Sequence, residues 1–211
     1  MNVLFADASV VVIDKPSGRI VHPAPGHETG ALTDELTRLY PEIAGVGSES
    51  RPGVVHRLDV ETSGVMVFAR TQAAYLALRR QFESHRDVRK TYLAVCHWRH
   101  GVAKKGTIDD PVGRLPAVTR YEVLGRRGSL ALVRFDIETG RMHQIRIHAA
   151  KSLGCPVVGD ALYGDGARDR SLRRRPTRLL LHAAELSFVH PATHRLVTFS
   201  SPPPDDLVYA G

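Results

Sequence analysis

Residues 10–13 are a β-branched run that stops at Asp14-Lys15-Pro16-Ser17-Gly18, which predicts a strand entering a turn. His22-Pro23-Ala24-Pro25-Gly26 reads as a loop. Leu32, Leu36 and Leu39 recur at helical spacing, and the pattern predicts a helix over 32–39 that stops before Pro41. Residues 42–53 are rich in Gly, Ser and Pro and read as loop. Residues 65–69 form an apolar run, expected as a buried strand. Thr71 is placed as the N-cap of a helix reaching about residue 84.

Further along, 90–98 reads as a strand, and 99–116 as a basic loop bearing Gly and Pro. Strands are expected over 119–124 and 129–137, joined by a hairpin turn at Gly125-Arg126-Arg127-Gly128. A helix is expected over 141–153, with Thr139 near its N-cap and Gly154 just past its end. Residues 160–178 read as an arginine-heavy loop, 179–189 and 195–199 as strands, and Pro202-Pro203-Pro204 as the start of a tail. The elements do not alternate strictly as βαβ, so the pattern favours an α+β fold with a mixed sheet over a doubly wound one. No internal repeat or low-complexity segment interrupts it.

Composition narrows the class. At 211 residues, 43% hydrophobic and 24% charged, the chain is an ordinary globular one, expected as one domain in two lobes. Two cysteines, Cys96 and Cys155, are too few for a disulfide scaffold or a zinc-finger ligand set. No apolar run nears the roughly 18 residues of a membrane span, and the N-terminus lacks a signal-peptide pattern, so a soluble cytoplasmic protein is expected. The charge is uneven: residues 1–50 carry a net −4 and residues 51–211 a net +11. The densest basic runs are 79–105 and 165–178. Such asymmetry points to a polyanionic partner, with a solvated surface as the plain alternative.

Much chemistry is missing from the sequence. There is no Walker loop, no G-x-G-x-x-G after a strand, and Ser63 does not sit in a nucleophile elbow. His143 and His148 face apart on a strand and lie roughly 140° apart on a helix, so they do not clamp one metal ion. The cysteines read as inert. Two charged residues stand out. Asp59 lies between an apolar strand entry and Thr62-Ser63-Gly64; it is either a cap on Thr62 or Ser63, or a poised anion. Arg57 and Asp59 share a side if that stretch is extended. Arg146 lies among apolar residues, where an unpaired guanidinium would be expensive, so it needs a carboxylate.

Taken together, His56-Arg57-Leu58-Asp59-Val60-Glu61-Thr62-Ser63-Gly64 resembles the signature of the RluA-type RNA pseudouridine synthases. Four further segments resemble that family in its order. They are Ile13 to Gly18 followed by Val21-His22-Pro23; Lys90-Thr91-Tyr92-Leu93-Ala94; Thr139 to His148 followed by Gly154 to Asp160 and Tyr163-Gly164; and Arg178 to Ala183 with His190-Pro191.

The resemblance implies a fold, an α+β pseudouridine synthase catalytic domain over 1–211. Its mixed, mostly antiparallel sheet would be split by a central cleft and flanked by helices. It implies an activity, isomerisation of uridine to pseudouridine in structured RNA. It assigns Asp59 as the catalytic aspartate, Tyr92 as the ring against the uracil, and Arg146 as the guanidinium paired with the aspartate. Arg57 would fill the gap left by the flipped base, and Leu181 would be an apolar wall. His56, Lys15, Arg141, His143 and Gln144 are expected as further substrate or RNA contacts.

The chemistry suits these roles. Breaking N1–C1′ and rejoining the base through C5 needs no outside donor, so no cofactor and no metal are expected. An ionised carboxylate serves as nucleophile or base, and an arginine opposes the rise in pKa that burial brings. Whether Asp59 attacks the sugar, the base or a 2′ proton stays open at this stage. The target uridine has to leave its stack, at a cost of a few kcal/mol, against which stacking on an aromatic ring returns ~1–3 kcal/mol.

Three departures from the family pattern matter. Met142 stands where the family usually has Thr, and a local effect is expected. The chain is short between Pro111 and Thr119. It begins at the catalytic region, so no S4-type RNA-binding domain is expected. Two other readings compete: an RNA-binding protein or chaperone on the same scaffold, and a glycosidase-like hydrolase using Asp59 with Glu61. The hydrolase would release free uracil. Ribosomal RNA is slightly preferred over transfer RNA as substrate, with a monomer and no obligatory protein partner expected. Arg146→Ala is expected to abolish turnover and spare RNA affinity, and charge reversal of Arg173, Arg174 and Arg175 to weaken RNA binding.

Overall fold

The computed structural model describes residues 1–23 and 29–208. The expected loop at Ala24-Pro25-Gly26 lies outside them. In chain order the elements are β1 (Asn2–Ala6), β2 (Val10–Lys15), α1 (Leu32–Leu39), β3 (Gly47–Ser48), β4 (Arg51–Pro52), β5 (Ser63–Ala69) and α2 (Gln72–Ser84). There follow β6 (Arg89–His97), β7 (Lys105–Ile108), β8 (Thr119–Arg127), β9 (Leu130–Ile137), α3 (Gln144–Ile147), α4 (Gly166–Ser171), β10 (Leu181–Val189), β11 (Leu196–Ser200) and α5 (Asp205–Val208). A 3₁₀ turn spans Pro41–Gly45. The fold class is α+β, and every registered strand pair is antiparallel. Among the described residues no helix is long and apolar enough to cross a membrane.

The chain divides into two compact units, Met1–Val88 with Glu185–Ser201, and Arg89–Ala184 with Pro202–Gly211. In the first unit β2 pairs with β1 on one side and β5 on the other, with Val12 opposite Val67. The last five residues of β10 belong here and pair with β11. Val10, Val12, Val65 and Val67 face α2, whose Ala74, Leu78 and Phe82 complete a core cluster. Val11, Ile13, Met66 and Phe68 point the other way and are equally buried. Both faces of β2 and β5 are covered, which is why these strands read as unbroken apolar runs rather than alternating ones. Thr71 caps α2, its hydroxyl accepting from Ala74 N at 3.2 Å. At the start of α1 the Asp34 carboxylate accepts from Ala31 N at 3.0 Å.

In the second unit the strand order runs β6-β9-β8-β7. Here β9 alternates, with Ala131, Val133, Phe135 and Ile137 buried and the residues between them more open. Its buried face packs with Ala94, Cys96, Ile145 and Ala149. Trp98 lies in the same cluster, its ring 6.4 Å from that of Tyr121. Both cysteines are buried and reduced, and burial pushes both thiols up, as their inert reading requires.

Several elements differ from the pattern-based expectation. β1 is an exposed edge strand without alternation, so it carries no periodic signal. β7 lies inside the expected 99–116 loop. The β8–β9 turn sits at Gly128-Ser129, because Gly125 occupies a register shift instead of the turn. The expected 141–153 helix begins only at Gln144, after His143 in the left-handed region, and from His148 to Ser152 widens into a π turn. Gly154 follows with φ +63°, as expected of the residue past a helix end. Helix α4 interrupts the 160–178 loop, and α5 the C-terminal tail.

Candidate active site

Asp59 follows Leu58, which is buried, while Arg57 before it is exposed and Asp59 itself half-buried. This in–out order is that of an extended segment. Directly after Asp59 the chain turns, Thr62 N donating to Asp59 O at 3.1 Å. The turn is gripped from the end of β2. Gly18 N donates to Val60 O at 2.9 Å, Lys15 Nζ to the same carbonyl at 2.8 Å, and Ser17 Oγ to Glu61 O at 2.6 Å. The sequence Lys15-Pro16-Ser17-Gly18 is therefore a clamp for the loop that carries Asp59. Gly18 has φ +82°, a conformation that places its N–H on Val60 at no steric expense.

Lys15, expected at the RNA, is fully buried and also donates to Pro16 O at 3.0 Å. His56, expected there too, stacks on Phe82 with ring centroids 4.5 Å apart. Its Nε2 accepts from Val67 N at 3.2 Å, which puts the neutral ring's proton on Nδ1. Both side chains support the loop from within the first unit. The Thr62 hydroxyl is buried with no hydrogen-bond partner among the described residues, so the Asp59 carboxylate does not cap it.

The remaining candidates stand in the second unit. Tyr92 is half-buried on β6 and packs against the cluster of Ala94 and Cys96; Leu181 is a buried member of that cluster. Arg146 is 4% exposed and forms a bidentate pair with Asp160, Nε to Oδ2 at 2.8 Å and Nη2 to Oδ1 at 2.7 Å. The carboxylate that a guanidinium among apolar residues requires is met in this unit by Asp160, which the sequence reading did not single out. Burial would raise the Asp160 carboxyl. The hydrogen bonds from Arg146, Tyr163 N and Leu162 N outweigh it and hold the group below its ordinary value. The signal was present in Gly159-Asp160 and Tyr163-Gly164. A Cβ at Gly159 would strike the Arg178 carbonyl, and one at Gly164 the Asp160 carbonyl. The Tyr163 ring lies 5.3 Å from the Arg146 guanidinium, and its hydroxyl meets His143 Nδ1 at 3.1 Å.

Gln144 is buried and fully engaged. Its Oε1 accepts from Thr139 Oγ1 at 2.7 Å and Arg141 N at 3.0 Å; its Nε2 donates to Val118 O at 3.0 Å and Thr119 Oγ1 at 2.9 Å. Thr119 in turn meets His148 Nδ1 at 2.9 Å, and His148 Nε2 lies 2.9 Å from Asp110 O. A carbonyl only accepts, so the neutral His148 ring carries its proton on Nε2 and takes the Thr119 hydroxyl proton on Nδ1. Gln144 is thus an internal brace. Arg141 reaches Pro116 O through Nε at 3.0 Å. Met142 is 70% exposed. The short 111–119 stretch closes as a tight turn in which Val112 and Leu115 exchange two hydrogen bonds.

Lys90, two residues before Tyr92, was not singled out by the sequence reading. It is 9% exposed, donates to Thr139 O at 3.1 Å, and its pKa is pushed down to about 8 by burial and by Arg141. Among the described residues no three His, Cys, Asp or Glu come together as a metal site.

Residues 9–151 match the family model of RNA pseudouridylate synthases. Over 208 residues the chain is 42% identical to an uncharacterized RNA pseudouridine synthase of Chloroflexus aurantiacus, covering 92% of this chain and 63% of that protein. Over 229 residues it is 42% identical to the ribosomal large subunit pseudouridine synthase D of Xanthomonas campestris pv. campestris, covering 98% and 67%. The chain therefore spans about two thirds of the length of these relatives. Among solved structures, human RNA pseudouridylate synthase domain containing 4 superposes with a TM-score of 0.76 at 28% identity, over 99% of this chain and 90% of that one. With the signature at His56 to Gly64 inside the matched region, the chain belongs to the RNA pseudouridylate synthase family.

Proposed function

We propose that this protein converts uridine to pseudouridine in ribosomal large-subunit RNA. The observation that carries the reading is the Asp59 turn. A carboxylate in the family's signature segment follows a buried leucine, and the turn behind it is fixed by three donors from the end of β2. Such fixing meets the need for a reacting group whose position is set before substrate arrives. The choice of ribosomal RNA is drawn from the relative named for that substrate.

In this reading a flipped uridine presents its N1–C1′ bond to the ionised Asp59. Tyr92 packs against the uracil ring, and Arg146, held in plane by Asp160, is the guanidinium of the family's motif. Arg57, exposed beside the turn, takes the place of the departed base. The N1–C1′ bond breaks, the base turns, C5 bonds to C1′, and the proton on C5 leaves to water as N1 gains one. Atoms and electrons balance within the nucleotide.

The test is tritium release from RNA labelled at uracil C5. Wild type should release tritium from ribosomal RNA, and Asp59→Asn should release none. Absence of release from ribosomal and transfer RNA by folded wild type would overturn the proposal, as would equal release by Asp59→Asn. Release from transfer RNA alone would overturn the substrate, and free uracil among the products would replace the isomerase with a hydrolase.

A further inference from the structure

Strand β6 divides the second unit by the alternation of its side chains. Tyr92, Ala94 and Cys96 pack into one cluster, whereas Leu93 and Val95 pack into another with Val158, Leu180 and Leu207. On the Val95 side lies a cavity of about 700 Å³, within the size range of small-ligand sites. Its floor is apolar, made by Val95, Leu130, Val158 and Leu180. Its rim is cationic, made by Arg127 and the run Arg173-Arg174-Arg175. The single acidic lining residue, Asp206, is already held by Arg178 through two hydrogen bonds of 2.6 and 2.5 Å. A second cavity of about 400 Å³ shares Leu172 with the first and adds Arg99, His100 and Arg168, with no acidic side chain in its lining.

Two adjoining hollows thus offer, in repetition, apolar surface beside guanidinium groups. A nucleic-acid strand carries the matching repeat, a flat base and a phosphate in every unit, and guanidinium geometry suits phosphate oxygens. An acidic peptide matches the charge but offers no flat apolar face. We propose that these hollows form a docking track for a single-stranded segment of the RNA outside the reacting uridine, on the face of β6 opposite Tyr92. The proposal rests on the reading of this chain as an RNA-acting protein and adds a second place where RNA is held. It also assigns a use to the arginine run of 165–178.

The probe is a twelve-residue oligouridylate carrying 4-thiouridine, photocrosslinked to the full chain and mapped by mass spectrometry. Adducts in peptides covering 97–100, 127–130 or 168–177 support the track; adducts confined to 57–62, 89–94 and 141–146 overturn it. The triple variant Arg127→Gln, Arg173→Gln, Arg175→Gln changes exposed or rim side chains outside the proposed reacting centre. It should bind the oligonucleotide at least tenfold more weakly, with a log–log salt slope shallower by about 2, from about 0.7 for each of three phosphates. Unchanged affinity and slope overturn the proposal, and so does competition by polyglutamate as strong as that by unlabelled oligouridylate. Tritium release, measured in parallel, reports on the proposed isomerase alone, so loss of one reading leaves the other standing or falling on its own data.

Discussion

In the first unit the turn behind Asp59 is gripped by its own peptide carbonyls, which accept from Lys15, Ser17 and Gly18. In the second unit Arg146 is gripped through its side chain, by a carboxylate that shares its burial. The first arrangement fixes the backbone whatever residue stands at 59. The second fixes the guanidinium itself through a buried, bidentate ionic pair. A catalytic group can therefore be positioned through the peptide beneath it or through its own polar atoms, and the two ways fail differently.

The sharpest break is Asp160→Asn. It removes the charge that faces the buried Arg146 in this unit, and should lower unfolding stability by about 3–5 kcal/mol in urea melts. Arg146→Ala should lose a similar amount, because Asp160 is then left behind. To the expectation from sequence, lost turnover with RNA affinity spared, the buried pair adds a loss of stability. Lys15→Met tests the other arrangement. Val60 O keeps Gly18 N, so the loss should be smaller, about 1–3 kcal/mol, with faster amide exchange at Thr62.

Acid separates the two regions further. The Asp160 carboxyl titrates below its ordinary value, so its stabilising contribution is full above about pH 4 and disappears as pH falls through the folded-state value. On acidification, amide exchange at Leu162 and Tyr163 should rise before that at Gly18 and Thr62. The opposite order would dissolve the contrast. The finest test is alkaline. Lys90 sits near 8 when folded and 10.5 when not, so the unfolded chain binds the extra proton between them and stability rises over that window. Lys90→Met should remove that rise. An identical profile for the variant would show that the amine is solvated.

Much of this was legible in the residues. Helix α1 fell at 32–39 because its leucine spacing and Pro41 agree, and α2 began where Thr71 said it would. Ordered motifs single out Asp59, Tyr92 and Arg146, whose roles are those proposed above. The need of Arg146 for a carboxylate was legible from its apolar neighbours, but Asp160 as a carboxylate that meets it was not. Asp160 lies fourteen residues away across a glycine-bounded turn, and no periodic pattern marks such a reach. His56, Lys15 and Gln144 read as contacts because they are polar and lie in the motifs. The structure uses them as internal donors, acceptors and packing, a distinction set by which way each side chain turns. The late start of α3 goes with His143 taking a positive φ, which residue identity does not announce.

Trp98 has a practical consequence. It is the only tryptophan in the chain and lies buried in the second unit against Tyr121. Excited at its red edge, the protein emits from that unit alone, while far-ultraviolet circular dichroism sums helices and strands of both. Superimposable melts by the two spectroscopies would mean that the units lose their structure as one cooperative block. Displaced curves would give each its own midpoint, without a label being added anywhere in the molecule.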